Sequence, residues 1–165
     1  VGVCADNADE TTPARLIAAA DLAWGRLDGA LISVGGPPAG SVSAITDDQW
    51  ASAFFSVFLG AIRIAREVST GLPSGGSIAF VLSSSVRTPL ANMALSNGLR
   101  PGLAMVAKTM AEELGPRGVR VNALLPGRIS TERVAELDAL SLDPALARAA
   151  EAPGTYQCYS AAGRL

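Results

Sequence analysis

Hydroxyl-bearing and backbone-exposing residues follow two apolar runs in the second half of the chain. Serines occupy residues 83–85, directly after the apolar run at 78–82, and Pro126 and Gly127 follow the run at 119–125. A parallel α/β sheet binds its ligand at the carboxyl ends of its strands, so these residues would meet at a ligand edge. Hydroxyl groups there can orient a substrate oxygen, although a serine cluster after a buried strand is often only a hydroxyl-lined turn.

The residue types exclude several other kinds of chemistry. The chain has no histidine, which excludes histidine metal sites and histidine-based triads. It has no Gly-x-Ser-x-Gly sequence, which the α/β-hydrolases use to present their nucleophile. A formal net charge of −2 without a basic patch makes nucleic acid a poor partner. No apolar run is long enough for a membrane span, and no signal-peptide pattern opens the chain.

Composition predicts a single domain with a sizeable core. Hydrophobic residues make up 49% of the 165 positions and charged residues 17%, which argues against disorder. Cys4 and Cys158 are the only cysteines and do not suggest a disulfide framework. A reducing cytoplasm is the simplest location for such a chain.

Hydrophobic periodicity predicts alternating strands and helices. We expect a first strand at residues 1–5 and a helix that begins near Pro13, with Leu16, Ile17, Ala20 and Trp24 on its apolar face. A second strand at 30–34 is followed by a strongly apolar, buried helix at 50–68, for which Thr46 and Gln49 form a capping box.

The second half continues the alternation. Its predicted elements are a strand at 78–82, a helix at 99–114, a strand at 119–125, a polar helix at 131–150 and an irregular tail at 151–165. This order predicts one partial α/β domain over residues 1–165: a Rossmann-like, doubly wound parallel sheet in three αβα layers, incomplete at both ends.

The stretch from residue 76 to residue 131 resembles the short-chain dehydrogenase/reductase family. That family has a catalytic Ser after a strand, then Tyr-x-x-x-Lys in a long helix, then a strand of Gly-[Ile/Val]-Arg-Val-Asn type followed by Pro-Gly. The resemblance places the catalytic Ser at Ser83, the tyrosine position at Ser96 and the lysine position at Arg100. Val57 occupies the position of the family's proton-relay Asn.

The resemblance also implies NAD or NADP as cofactor. Asp6 matches the family's adenine-side acid, and Gly35 is what remains of its Asn-Asn-Ala-Gly turn. Around the nicotinamide, the matching residues are Pro126, Gly127, Ile129 and Thr131. Asp6 and Gly35 can also be read as plain turn residues, and Thr131 as a helix cap. The family's Gly-rich phosphate loop would precede Val1, so NAD(P) binding presumes that the complete protein supplies it.

Three functions stay open from the sequence. The first is NAD(P)-linked hydride transfer on a carbonyl or hydroxyl substrate, with Ser83, Ser96 and Arg100 polarising the oxygen. The second is a catalytically inactive binding or assembly module, because neither Ser nor Arg can replace the Tyr and Lys in proton transfer. The third is a fragment without a function of its own. Tyr156 or Tyr159 folding back over the site is a minor alternative.

Oligomerisation is the last property that the resemblance implies. In the family, the helices that match residues 50–68 and 99–114 build a four-helix interface. We therefore expect a homodimer or homotetramer through these helices, and the strongly apolar character of the first one supports this independently.

Overall fold

The computed structural model describes residues 1–127, residue 129 and the backbone of residues 158–159. Within these residues, three parallel strands and one short antiparallel strand form a sheet in the order β1-β2-β3-β4. The strands are β1 (Gly29–Ile32), β2 (Ser77–Val81), β3 (Arg120–Leu124) and β4 (Cys158–Tyr159). The Rossmann-like parallel α/β fold predicted from the alternation of elements is confirmed.

The segment 1–5 is not the buried strand that its apolar residues predict. It has no strand pairing, and Val1, Gly2, Cys4 and Ala5 are exposed. The physical reason is the lack of a neighbour: among the described residues no strand pairs with this segment or with the outer edge of β1. An apolar run without ladder partners must satisfy its backbone groups with water or side chains instead, as the Cys4 carbonyl does with Arg15.

The tail at 151–165 contains a strand, although we predicted it to be irregular. Tyr159 pairs with Ala123 and Cys158 with Leu124, so β4 covers the free edge of β3. So short a strand depends on an available edge rather than on its own composition. The polar helix predicted at 131–150 lies outside the described residues.

Helix α1 (Thr12–Trp24) begins with Pro in its first turn and ends at Gly25, as predicted. Gly25 has a φ of 66° and donates its backbone N–H to the Asp21 carbonyl, the left-handed ending that glycine adopts without steric cost. The predicted apolar face is only partly covered, because Leu16 is 36% and Trp24 67% exposed.

The helix predicted at 50–68 is a longer, composite helix. It consists of α2 (Asp47–Ala53), a π-helical segment (Phe54–Leu59) and α3 (Gly60–Gly71). The predicted capping box is confirmed, since Thr46 Oγ1 accepts from the Gln49 N–H and Gln49 Oε1 accepts from the Thr46 N–H. The wider turn was not predicted, because periodicity does not distinguish it from a regular helix.

Helix α4 (Ala94–Leu114) begins five residues before the predicted position 99. The sequence Asn97-Gly98 with Pro101 nearby resembles a helix breaker, yet burial of apolar side chains outweighs the single backbone bond that Pro101 removes. Asn97 closes the preceding loop, accepting from the Leu90 N–H at 3.0 Å and donating to the Leu90 carbonyl at 2.8 Å. Among the described helices, none is long and apolar enough to cross a membrane.

One face of the sheet packs against α3 and α4 and forms the core. Its inward side chains and their helical partners are almost fully buried: Ile32, Ile78, Phe80, Val121, Ala123, Ala61, Ala65, Leu95 and Leu103. Leu31, which alternates with Ile32 along β1, is 65% exposed. The second helical layer of the predicted three-layer arrangement is not found among the described residues.

Candidate active site at the carboxyl edge of the sheet

An open cleft of about 920 Å³ lies beside the carboxyl end of β1. It is bounded by residues 4–7, by the turn at 35–38 and by the beginning of the composite helix. Asp6, Gly35 and Val57 therefore share one cavity, whose size is that of a small-molecule site. Arg15 also lines it and donates from Nη2 to the Cys4 carbonyl at 2.8 Å, which holds segment 1–5 against α1.

Asp6 is an exposed residue at the mouth of this cleft. Its Oδ1 accepts from the Ala8 N–H at 2.8 Å, and its backbone carbonyl accepts from the Asp9 N–H and from the Thr12 hydroxyl. These bonds fix the turn that leads into α1. The second carboxylate oxygen is left available for the hydroxyl or amino group of a ligand.

The turn after β1 presents bare backbone to the cleft. A β-carbon added at Gly35 or Gly36 would meet no atom within 4 Å, so the space in front of both glycines is open. A ligand can therefore approach the main chain closely at this wall.

The turn after β2 is tied to the turn after β3. Ser83 is half-buried, and its Oγ accepts from the Ser85 N–H at 3.1 Å. The Ser84 N–H donates to the Pro126 carbonyl at 3.0 Å, which brings the Pro126-Gly127 turn beside the serines. The predicted meeting of the two turns at one edge is thus observed.

Ser96, at the tyrosine position, is buried in the interior. Its side chain lies 3.1 Å from Ser85 Oγ, and both serines are only 4% exposed. Sequence reasoning did not assign Ser85 a role. The available signal was that Ser85 belongs to the serine cluster. Its pairing with Ser96, however, depends on α4 beginning at Ala94, before Ser96, and not at 99.

Arg100, at the lysine position, is 5% exposed, and all its acceptors among the described residues are backbone carbonyls. Its Nη1 donates to Val81 at 2.9 Å, and its Nη2 donates to Val34 at 3.2 Å and to Gly35 at 3.3 Å. Its Nε is buried without an acceptor among the described residues. Burial lowers the pKa of the Arg100 guanidinium, because desolvation penalises the charged form.

The remaining predicted residues lie at or beyond the turn after β3, in the composite helix, or outside the described residues. Pro126 and Gly127 are half-buried and Ile129 is 40% exposed beyond them, while Thr131 lies outside the described residues. Val57, 4% exposed, lies in the π-helical segment. Tyr156 also lies outside the described residues, and only the backbone of Tyr159 is described, opposite Ala123.

The structure therefore brings the predicted residues together in two groups. Asp6 and Gly35 share the cleft, whereas Ser83 and Ser96 meet through Ser85 beside the Pro126-Gly127 turn. Arg100 bridges the groups, since it contacts the turn after β1 and the last residue of β2.

Comparison with known proteins identifies a family model and several relatives that match this chain. A family model described as enoyl-(acyl carrier protein) reductase matches residues 1–153. An uncharacterized oxidoreductase of Methylorubrum extorquens is 28% identical over 132 residues, 80% of this chain and 53% of the relative. A short-chain dehydrogenase/reductase of Pyricularia oryzae is 35% identical over 112 residues, 66% of this chain and 42% of the relative.

Solved structures agree with these relatives. A short-chain dehydrogenase from Burkholderia cenocepacia, crystallised in complex with NADP, superposes with a TM-score of 0.73 at 28% identity, covering 79% of this chain and 54% of that one. The chain spans about half the length of the curated relatives it matches.

Proposed function

Because the chain belongs to the short-chain dehydrogenase/reductase family, we propose that it takes part in NAD(P)-linked hydride transfer on a carbonyl or hydroxyl substrate. The observation that carries the proposal is the joining of the turns after β2 and β3, which places Ser83 beside Pro126-Gly127 at the carboxyl edge. A ligand held against both turns would have its reacting atom near the Ser83 hydroxyl.

The described residues fit one dinucleotide spread along this edge. The open backbone at Gly35 and the available oxygen of Asp6 suit the adenosine half, while Pro126, Gly127 and Ile129 suit the nicotinamide half. When bound, the cofactor would supply or accept the hydride. Thr131 completes the proposed set.

Ser83 is the residue we assign to the substrate oxygen. Because its Oγ already accepts from the Ser85 N–H, its hydroxyl hydrogen is available to donate to a carbonyl oxygen. Ser96 is buried, so we assign it an indirect role: its hydroxyl holds Ser85, which holds Ser83. Arg100 stays protonated and adds positive charge near the developing oxyanion, and water supplies the proton.

Two measurements test this proposal. Titration of the complete protein with NADH and NADPH, followed by nicotinamide fluorescence, should show saturable binding. Turnover on a panel of aldehydes, ketones and alcohols should then fall about 100-fold in Ser83→Ala. Ser84→Ala is the matched control and should keep the turnover, because its side chain makes no hydrogen bond in the described part of the chain. Full turnover by Ser83→Ala would contradict the assignment.

A catalytically inactive binding or assembly module is the second candidate. It is favoured by the burial of Ser96, because a hydroxyl that is 4% exposed and bonded to Ser85 cannot reach a substrate. Saturable NADPH binding without turnover on any member of the panel would support this alternative over the enzyme.

We also propose that the protein associates as a homodimer or homotetramer through helices 50–68 and 99–114. An aromatic cluster supports this surface: Phe54 stacks on Phe58 at 5.3 Å and meets Phe55 edge-on at 5.8 Å. Phe54 and Phe55 are nevertheless 41% and 47% exposed, and Met105 on α4 is 63% exposed. Light scattering should report a multiple of the chain mass that falls to the monomer in Phe55→Glu; a wild-type monomer would exclude the interface.

A further inference from the structure

Arg100 is a buried cation for which the described part of the chain supplies no acidic partner. Its three acceptors are the backbone carbonyls of Val34, Gly35 and Val81, and neither ion pair found among the described residues involves it. A guanidinium so fully withdrawn from water normally pairs with a carboxylate or binds a ligand. Here its hydrogen bonds join three segments of the main chain instead.

We propose that Arg100 is a positioning residue that holds the Gly35 wall of the cleft in place by tying the ends of β1 and β2 to helix α4. The acceptors Val34 and Gly35 belong to the turn that lines the cleft, and Val81 is the last residue of β2. Without these bonds, the turn after β1 would be held by the strand before it, by the buried Val34 side chain and by the prolines after it.

The chemistry of arginine suits this role. The planar guanidinium presents donors in fixed, diverging directions, so one side chain can serve two strand ends. A lysine ammonium is a compact charge on a flexible stem and cannot reproduce the planar fork. The carbonyls at the carboxyl ends of β1 and β2 supply partial negative charge in place of a carboxylate.

Arg117 is a natural control because it uses the same chemistry at the other end of the sheet. It donates to the carbonyls of Ser69, Thr70 and Leu72 at 2.9 to 3.5 Å, but it is exposed and far from the cleft in the sheet. Loss of either arginine thus removes a three-carbonyl clamp, and only one of the clamps contacts the cleft.

The first arm of the test needs no ligand. Backbone ¹⁵N relaxation in Arg100→Met should lower the order parameter of the Gly35 amide from the rigid range near 0.85 to below about 0.6. Arg117→Met should leave Gly35 rigid. Arg100→Lys keeps the charge and part of the reach, so it should give an intermediate value, and it serves if Arg100→Met does not fold. A rigid Gly35 in a folded Arg100 variant would overturn the proposal.

The second arm uses ADP-ribose as the probe and rests on the proposed function. Its affinity should fall about tenfold in Arg100→Met and stay unchanged in Arg117→Met. Millimolar ethylguanidinium should restore the affinity of Arg100→Ala by refilling the three-carbonyl site, and absence of rescue would count against the clamp. If the complete wild-type protein does not bind ADP-ribose at all, the proposed function fails, and the relaxation arm decides the clamp separately.

Discussion

The two edges of the sheet differ most beside β1. At the amino edge, where the strands begin, the backbone groups of neighbouring segments are hydrogen-bonded to one another. The Ser77 N–H donates to the Asp28 carbonyl, the Arg120 N–H to the Gly76 carbonyl and the Gly75 N–H to the Gly118 carbonyl. At the carboxyl edge, where the strands end, the Ser84 N–H still donates to the Pro126 carbonyl, but beside β1 the backbone at Gly35 faces open space.

The charged side chains also differ between the two edges. Arg26 and Asp28 form an exposed ion pair just before β1, whereas Arg100 at the carboxyl edge is buried, and its acceptors within residues 1–127 are all carbonyls. The amino edge thus satisfies its groups internally, and the carboxyl edge keeps open space beside Gly35 that a ligand can use. The proposed site therefore lies at the edge where fewer backbone groups are hydrogen-bonded within the chain.

The largest expected effect compares the two ends of β1. A β-carbon at Gly29 would lie 2.5 Å from the Ser77 carbonyl oxygen, so Gly29→Ala must displace β2 and should cost about 1–3 kcal/mol of unfolding free energy. Gly35→Ala meets no atom and should change stability by less than about 0.5 kcal/mol. Urea unfolding of both variants measures the difference.

The same pair of variants also tests ligand binding. The methyl group of Gly35→Ala projects into free space at the cleft wall and should weaken NADPH binding. Comparable loss of stability in the two variants would show that the edges do not differ as described, and undiminished NADPH binding by Gly35→Ala would remove that wall from the site.

The smallest expected effect concerns the acidic groups of the two edges. The pKa of Asp9, in the turn between Asp6 and α1, lies below its ordinary value of 3.8, first because the Thr11 N–H donates to the carboxylate and second because the Thr11 hydroxyl does. Asp9 therefore contributes stability above pH 3.8 that is lost as the pH falls through its lower folded pKa. Thr11→Val removes only the hydroxyl, so an NMR titration should find the Asp9 pKa partly raised.

Salt provides the control for this measurement. In about 1 M salt, where charges are screened within about 3 Å, the hydrogen-bonded shift of the Asp9 pKa should persist while the exposed Arg26–Asp28 pair weakens. An Asp9 pKa that returns to 3.8 in salt would mean that charge, and not hydrogen bonding, sets it.

The sequence predicts those features of the fold that depend on local chemistry. The capping box at Thr46 and the glycine that ends α1 were predicted because a few neighbouring residues determine them. The meeting of the turns at Ser83 and Pro126 was predicted because parallel strands end at a common edge.

The features that were missed depend on partners distant in sequence. Segment 1–5 has strand composition but no described strand beside it, and α4 continues through Pro101 because the core holds its first turns. The carbonyl acceptors of Arg100 come from residues 65, 66 and 19 positions away, so no local pattern could indicate them. The roles of Asp6, Ser83, Ser96, Arg100 and Thr131 stay predictions.

The π-helical segment has a consequence for how the chain tolerates insertion and deletion. Trp50 and Phe58 are eight residues apart, which in a regular α-helix leaves them about 80° out of line. The wider turn advances less per residue and aligns the two rings with Gly98 and Gly102, where an added β-carbon would lie 2.9 Å and 2.8 Å from them. Deleting one residue between 54 and 58 would place the two rings seven residues apart, about 20° from alignment in a regular α-helix, so both could still face their glycines. The wider turn thus accommodates one extra residue, and we expect the segment to tolerate the loss of one residue.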